Sequence, residues 1–265
     1  VGGLEELARI KPGMELIEID GRPVNDVIER DVDPYIFSST PQDRQLRQAL
    51  AVLDGPPGSM ARTKWLTLDG GTIEAAIPRN RSTHRGTLRT PSRARLEHRE
   101  LAGGAAYIAL NSFEDPAIQG DFDGKFDQLK RAKSWIIDLR NNGGGSSGIG
   151  YGILARLIDA PVHGGRQSTK LHNPTLAARN QSQPWYDWEA DTIAPATSEA
   201  RYHGPVYVLT SPATCSAAED FLIPLRTAGR ITIVGEPSCG STGQPLSFSI
   251  YGATVRVCTK WDRFP

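Results

Sequence analysis

The chain alternates between apolar, β-rich runs and segments whose apolar residues recur with helical spacing. Residues 206–209 (VYVL) are rich in β-branched and aromatic side chains, which predicts a buried strand. From Ala217 onward the spacing becomes helical, and the next apolar residues form one stripe, namely Phe221, Leu222 and Leu225. Residues 134–139 and 231–234 are further apolar runs that end in turns. Strands, loops and helices in this order predict an α/β fold.

The pattern divides the chain into three parts. Residues 1–79 predict a small first domain, which includes a helix over 45–53 and a hairpin over 64–73. Residues 80–102 are rich in arginine and are expected to be a linker. Residues 103–265 are expected to form the core domain.

The core domain is predicted to open with a strand over 105–110 and to close with a hairpin over 247–257. Between them, residues 163–204 are polar and show no clear period. We expect the aromatic residues at 185–188, within this stretch, to pack over the core rather than to contact a substrate.

Ser216 lies where the predicted strand at 206–209 changes to the predicted helix. At such a junction, free backbone N–H groups and the positive end of the helix dipole favour a developing negative charge. A serine hydroxyl there can attack a carbonyl, and the N–H of Ala217 can hold the oxyanion. Serine is also a favoured N-cap residue, and this segment alone favours that structural role.

A glycine-rich loop follows the apolar run at 134–139. Gly143, Gly144 and Gly145 lie between that run and a segment with helical periodicity. Glycine allows the backbone to approach a ligand closely and to adopt a positive φ. The loop is therefore a second candidate for the functional site.

Three segments, in this order, resemble the C-terminal processing peptidases, also called tail-specific proteases. Residues 138–145 (DLRNNGGG) match the family's Asp-Leu-Arg-Asn-Asn-Pro-Gly-Gly, with Gly143 at the position of the proline. Aligning Glu219 with the glutamate of the family's Ser-Ala-Ser-Ala-Ser-Glu-like turn places the nucleophile at Ser216. Residues 234–237 (VGEP) match its Val-Gly-Glu segment, so the resemblance covers most of the chain after about residue 103.

The resemblance implies a serine endopeptidase that cleaves unfolded or tail-exposed polypeptides without a cofactor. The core would have a ClpP/crotonase-like ββα fold. Ser216 would be the nucleophile, and the N–H groups of Ala217 and Gly144 would form the oxyanion hole. Gly143 and Gly145 would contact the substrate.

The general base of the processing peptidases is a lysine, and Ser241 occupies its position here. The nearest lysine, Lys260, is on a different predicted strand, so a Ser–Lys dyad is not expected. The tricorn-like branch instead uses a histidine as base, with serine and glutamate assisting, and this chain resembles that branch in catalytic style. In this interpretation Ser241 orients the base or a water molecule.

Residues 11–13 (KPG) and 20–24 (DGRPV) resemble segments of bacterial PDZ domains, which implies a partial PDZ-like domain over 1–79. The strand and carboxylate-binding loop that precede these segments in such domains are not seen. We therefore expect an internal fragment of a longer protein, with the base and its acidic partner outside it. This chain alone would then have little or no peptidase activity.

Composition argues against nucleic-acid and membrane partners, and the polypeptide substrate is what the resemblance implies. Thirty basic and thirty acidic residues cancel, so no global field recruits nucleic acid. The arginines clustered in and just before the predicted linker have no interleaved aromatic residues, which argues against a nucleic-acid site; they are Arg79, Arg81, Arg85, Arg89, Arg93, Arg95 and Arg99. No apolar run is long enough to span a membrane.

The cysteines and histidines predict no metal site. The cysteines are Cys215, Cys239 and Cys258; the first two flank the proposed site, and a disulfide there is one alternative, but we expect buried free thiols. None of the five histidines pairs with a cysteine or another histidine at ligand spacing; they are His84, His98, His163, His172 and His203.

Two alternatives stay open. Residues 143–148 satisfy G-x-G-x-x-G, but residues 138–142 separate the apolar run from the first glycine, unlike the dinucleotide fingerprint. A catalytically silent, peptide-binding homologue would keep the fold without turnover. The resemblance favours a periplasmic or secreted location.

Overall fold

The computed structural model of the chain describes residues 8–79, 93–251 and 253–263. The chain divides into two compact units, Val1–Arg93 and Ala94–Pro265. The predicted α/β class is confirmed, because the second unit contains a largely parallel sheet flanked by helices. Every helix in these segments is too short or too polar to span a bilayer.

The first unit contains a four-stranded antiparallel sheet with the order β2-β1-β3-β4. Its strands are β1 Glu15–Ile19, β2 Arg22–Pro23, β3 Ser59–Leu66 and β4 Thr72–Arg79. Its helical segments are α1 Val24–Val27, a π-helical turn Ile28–Val32, a 3-10 turn Asp33–Tyr35 and α2 Pro41–Ala51.

The expected hairpin and helix of the first unit are present as β3–β4 and α2. Helix α2 begins after Thr40, whose side chain accepts a hydrogen bond from the N–H of Asp43, with Pro41 at the first helical position. A small apolar core joins the sheet to its helices; it contains Ile19, Val27, Val52, Leu53, Ala61 and Ile77. The PDZ-like assignment of this unit stays a prediction.

The central sheet of the second unit has the order β13-β12-β7-β6-β5. Its strands are β5 Leu96–Glu100, β6 Ala105–Leu110, β7 Ser134–Asp138, β12 Val206–Thr210 and β13 Thr232–Gly235. The last four run parallel to one another, and β5 pairs with β6 in the antiparallel sense. Because parallel strands end at the same edge, the segments that follow β7 and β12 leave the sheet side by side.

Helices accompany this sheet in the second unit and, apart from the short helix Pro174–Ala178, contribute buried apolar residues to its core. They are α3 Ala117–Asp123, α4 Phe126–Leu129, α5 Ser147–Leu154, α6 Pro174–Ala178 and α7 Ala217–Thr227, with a 3-10 turn Ser198–Ala200. Trp135 of β7 is fully buried and stacks on Tyr202, with 4.1 Å between ring centroids. Phe113 contacts Phe221 of α7 at 5.9 Å. Both aromatic pairs lie in the main core.

The second unit also contains smaller sheets. Strands β8 Val162–His163 and β11 Thr192–Ile193 form a pair, and β9 Arg166–Lys170 lies between β10 Trp185–Trp188 and β16 Trp261–Arg263. The expected closing hairpin is β14 Pro245–Ile250 with β15 Ala253–Cys258.

Two sequence expectations need correction. The predicted linker over 80–102 is wrong at its end, because Leu96–Glu100 pairs with β6 and belongs to the core sheet. Residues 80–92 lie outside the described segments. The polar stretch at 163–204 contains short strands, and its aromatic run is strand β10, in which Trp185 and Tyr186 are partly exposed.

Candidate active site

Ser216 occupies a strained turn between β12 and α7. It is the N-cap residue of α7, with φ 57° and ψ −126°, and it is partly exposed. A serine rarely adopts a positive φ, and such a conformation persists where surrounding contacts over-determine it. The N–H of Ser216 donates to the carbonyl of Ser241 at 3.0 Å and to Oε2 of Glu219 at 3.1 Å.

The turn before Ser216 is fastened to the segment that follows β7. Thr214, which is fully buried, donates its hydroxyl to the carbonyl of Leu139 at 2.8 Å. The N–H of Cys215 donates to the carbonyl of Asn142 at 3.0 Å. These bonds place the Ser216 turn directly against the glycine loop.

The three loop glycines have different surroundings. Gly144 has a φ of +104°, and a Cβ built on it would lie 2.7 Å from the Cβ of Ser216. Gly145 has a φ of +135°, and its Cβ would lie 2.2 Å from the carbonyl carbon of Phe113. A Cβ on Gly143 would meet nothing within 4 Å. The structure therefore brings Gly144 against Ser216, packs Gly145 on Phe113 and leaves space beside Gly143.

The two backbone N–H groups expected to bind an oxyanion differ in their partners. Within the described segments, the N–H of Ala217 has no acceptor, as is usual in the first turn of a helix. The N–H of Gly144 donates to Oδ1 of Asn142 at 2.9 Å. The amide Nδ2 of the fully buried Asn142 in turn donates to the carbonyl of Leu110 at 2.9 Å.

Asn142 is a site residue that sequence reasoning missed. Its side chain bonds the backbone two residues later, which is the geometry of an Asx-turn. The Asn-Gly-Gly sequence at 142–144 is a local signal that could have indicated this turn.

The backbone of Ser241 lies beside Ser216 and is hydrogen-bonded to it. Its carbonyl accepts from Ser216, and its own N–H donates to Oε2 of Glu219 at 3.0 Å. Sequence reasoning used Glu219 only to align the nucleophile. In the structure this carboxylate is buried between α7 and the turn that follows β13.

The expectation of free thiols at Cys215 and Cys239 is wrong, because the two residues form a disulfide with 5.2 Å between their Cα atoms. They are 24 residues apart, and the turn after β13 brings Cys239 back to the Ser216 turn, where its N–H donates to the carbonyl of Thr214 at 2.9 Å. Cys258 is free and exposed. With Glu219 the two sulfurs form the one metal-like cluster in the described segments, but sulfurs bonded to each other are not thiolate ligands.

Within the described segments, no histidine and no lysine donates to or accepts from Ser216. His163, His203 and Lys260 have other partners instead. Nδ1 of His163 contacts the hydroxyl of Thr192, and Nδ1 of His203 lies 3.3 Å from Oδ1 of Asp159. Nζ of Lys260 donates to the side chain of Gln167. His98 lies on β5, three strands from β12, which is about 14 Å across the sheet. His172 is an exposed loop residue, and His84 lies outside the described segments.

A buried polar cluster fixes the end of β7 before the glycine loop. Asp138 accepts from the hydroxyl of Tyr107 at 2.6 Å and from Nη2 of Arg140 at 2.6 Å. Burial alone would raise the pKa of Asp138, but the hydrogen bonds from Arg140 and Tyr107 outweigh it and hold the pKa below 3.8. Burial, and then the bond to Asp138, raises the pKa of Tyr107.

A family model described as peptidase family S41 matches residues 104–260, which include β6, the glycine loop, the Ser216 turn and the turn at Ser241. The chain belongs to peptidase family S41. This membership confirms the resemblance of the core to the processing peptidases. The shared residues cover most of the second unit.

Individual relatives support the same family. The carboxy-terminal processing protease CtpA of Bacillus subtilis (strain 168) is 22% identical over 264 residues, which cover 98% of this chain and 47% of the relative. The chain therefore spans about half the length of this curated relative. Mature CPAF complexed with lactacystin has a TM-score of 0.69 at 15% identity, over 96% of this chain and 70% of CPAF.

A putative peptidase from Parabacteroides merdae ATCC 43184 has a TM-score of 0.53 at 21% identity, over 90% of this chain and 75% of that protein. The two structural similarities show the S41 protease fold. The dinucleotide alternative gains no support from the family match.

Proposed function

We propose that this protein is a serine endopeptidase that cleaves peptide bonds in unfolded or tail-exposed proteins, with Ser216 as the nucleophile. The observation that carries the proposal is the strained, partly exposed Ser216 at the N-terminus of α7, directly against Gly144. Membership of peptidase family S41 supports the reaction class. Peptide-bond hydrolysis by this site needs no metal or organic cofactor in the proposed mechanism.

In the proposed reaction, Oγ of Ser216 attacks the carbonyl carbon of the scissile bond while a general base takes its proton. The carbonyl oxygen becomes an oxyanion, which the N–H of Ala217 and the positive end of the α7 dipole stabilise. Collapse of this intermediate breaks the C–N bond, and the base returns the proton to the leaving amine. Water then hydrolyses the acyl–serine ester by the reverse sequence of proton transfers.

Gly144 is the second oxyanion donor in this proposal. Its N–H now donates to Oδ1 of Asn142, so it would exchange that oxygen for the oxyanion when the intermediate forms. Gly143 borders open space, where a substrate backbone can approach closely, and we assign it and Gly145 to substrate contact.

The general base in this proposal is a histidine outside these 265 residues, assisted by a glutamate that also lies outside them, as the resemblance to the tricorn-like branch implies. The contacts of His163, His203 and Lys260 with other side chains support this assignment. Ser241 orients the base or a water molecule, and its backbone position beside Ser216 is compatible with that role.

We also propose a periplasmic or secreted location. The Cys215–Cys239 disulfide supports it, because structural disulfides persist in oxidising compartments and are rare in the cytosol.

The test is hydrolysis of unfolded casein by the natural gene product and by its Ser216→Ala variant. The variant should lose the activity apart from a residual rate, since binding and the oxyanion hole alone give roughly 10³–10⁴-fold over water. Ser134→Ala is the control, because Ser134 begins β7 at the opposite end of the sheet from the site. Hydrolysis that survives Ser216→Ala would end the proposal, and a protein that binds casein without cleaving it would be the silent homologue.

A further inference from the structure

The carboxylate of Glu219 accepts four hydrogen bonds from two separate turns. Its Oε1 accepts from the hydroxyl of Ser238 at 2.6 Å and from the N–H of Gly240 at 2.8 Å. Its Oε2 accepts from the N–H groups of Ser216 at 3.1 Å and Ser241 at 3.0 Å. Each carboxylate oxygen of Glu219 therefore accepts two hydrogen bonds. Because Glu219 belongs to α7, these bonds join the helix to both turns.

Burial of this carboxylate is unfavourable unless hydrogen bonds compensate for its lost hydration. Glu219 is only 6% exposed, and in the described segments no lysine, arginine or histidine forms an ion pair with it. A buried carboxylate without a counter-ion requires hydrogen-bond donors, and an ionised carboxylate can accept about four. The four donors, together with the first turn of α7, supply that compensation.

The four donors lie on two turns, which the carboxylate therefore holds together. Ser216 belongs to the turn before α7, whereas Ser238, Gly240 and Ser241 belong to the turn after β13. The N–H of Ser216 donates both to Glu219 and to the carbonyl of Ser241. The strained φ of Ser216 is thus held by the same group that sets the position of the neighbouring turn.

We propose that Glu219 is a positioning residue: its carboxylate holds Ser216 in its reactive conformation and keeps Ser241 in register beside it. This inference rests on the proposed function, because it takes Ser216 as the nucleophile. Glu219 contacts no substrate in this role and acts through the two turns that it joins.

The competing explanation is a helix cap with no further role. Ser216 and Glu219 have the S-x-x-E spacing of a capping box, in which the glutamate only satisfies the N–H of the N-cap residue. A cap alone would affect the free energy of unfolding and leave the turnover of folded molecules unchanged. A positioning residue would lower kcat and the reactivity of Ser216 in molecules that are fully folded.

The experiment uses Glu219→Gln in the natural gene product. Glutamine has the same shape, but its NH2 group replaces one acceptor oxygen and faces two donors, so one pair of hydrogen bonds must break. We expect kcat on casein peptides to fall about 10²-fold, the size expected for a displacement of about 1 Å, while KM changes little. The rate of Ser216 labelling by a fluorophosphonate should fall in parallel.

Leu225→Ala is the matched control. Leu225 is fully buried on the same helix, two turns beyond Glu219, and its truncation destabilises through packing alone. When it is assayed well below the melting temperatures of the wild type and of the variant, Leu225→Ala should keep the wild-type kcat and labelling rate. Glu219→Gln that behaves like Leu225→Ala, with a lower melting temperature and an unchanged kcat, would overturn the proposal in favour of a cap.

Ser238→Ala gives an independent test if Glu219→Gln does not fold. It removes one donor to Oε1 and keeps the other three, so kcat should fall several-fold with KM unchanged. A wild-type kcat in a folded Ser238→Ala variant would count against the positioning role. Failure of the proposed function is distinguishable, because hydrolysis would then either be absent from the wild-type protein or survive Ser216→Ala, whatever the Glu219 variants do.

Discussion

Gly144→Ala should disturb the nucleophile turn directly, because this glycine has no room for a side chain. A Cβ at Gly144 would lie 2.7 Å from the Cβ of Ser216, 2.8 Å from the carbonyl oxygen of Cys215 and 3.1 Å from the nitrogen of Ala217. Ordinary contacts begin near 3.4 Å, so the turn would have to move by about 0.7 Å. The φ of +104° adds strain that alanine cannot relieve.

Two terms set the expected magnitude. Holding a non-glycine residue in a sparsely populated backbone region costs about 1–3 kcal/mol. Overpacking against a fixed neighbour costs about 1–3 kcal/mol more. The free energy of unfolding should therefore fall by about 2–6 kcal/mol, which lowers Tm by about 5–20 °C in a domain of this size. A displacement of this order should also reduce kcat about 10- to 100-fold.

The assay is urea unfolding together with casein hydrolysis, and Gly143→Ala is the control for stability. A Cβ on Gly143 meets nothing within 4 Å, so its replacement should change the unfolding midpoint little. If Gly144→Ala unfolded at the same urea concentration as Gly143→Ala, the close contact between the glycine loop and Ser216 would be refuted.

Three further predictions concern the surroundings of the site. Reduction of the Cys215–Cys239 disulfide, which closes a loop of 24 residues, should lower the free energy of unfolding by about 3 kcal/mol; equal urea midpoints with and without reductant would contradict this. Ser241→Lys should change casein hydrolysis by the natural gene product at least about tenfold, because it places an amine beside Ser216; unchanged hydrolysis would put position 241 outside the site. The pKa of Asp138 is lower in the folded chain than its ordinary value of 3.8, so its stabilisation is present above that pH and is lost as the pH falls through the folded value. Asp138→Asn should therefore show a weaker loss of stability on acidification, and acid unfolding identical to wild type would show that this carboxyl does not contribute.

Local patterns predicted the elements that carry the site. The expected strands at 105–110 and 206–209 correspond to β6 Ala105–Leu110 and β12 Val206–Thr210, and the expected helix after Ser216 is α7. These segments combine strong periodicity with deep burial, so sequence and packing favour the same structure. The junction at Ser216 could be located for that reason.

Features that depend on distant partners could not be predicted. Strand β5 (LEHRE) has little β-propensity of its own and forms because β6 offers it hydrogen bonds. The positive φ of Ser216 accompanies hydrogen bonds of its N–H to Glu219 and Ser241, which are distant in sequence or set by the fold, and serine itself does not favour it. Likewise, the spacing of two cysteines says nothing about the distance between them in the fold.

The most direct test of the account is to label the natural gene product with a fluorophosphonate and to identify the modified peptide by mass spectrometry. An activated serine reacts with this probe, and an ordinary hydroxyl does not. We expect one modified serine, Ser216, and no modification in the Ser216→Ala variant. Modification of a different serine, or equal labelling of Ser216→Ala, would contradict the assignment of the nucleophile.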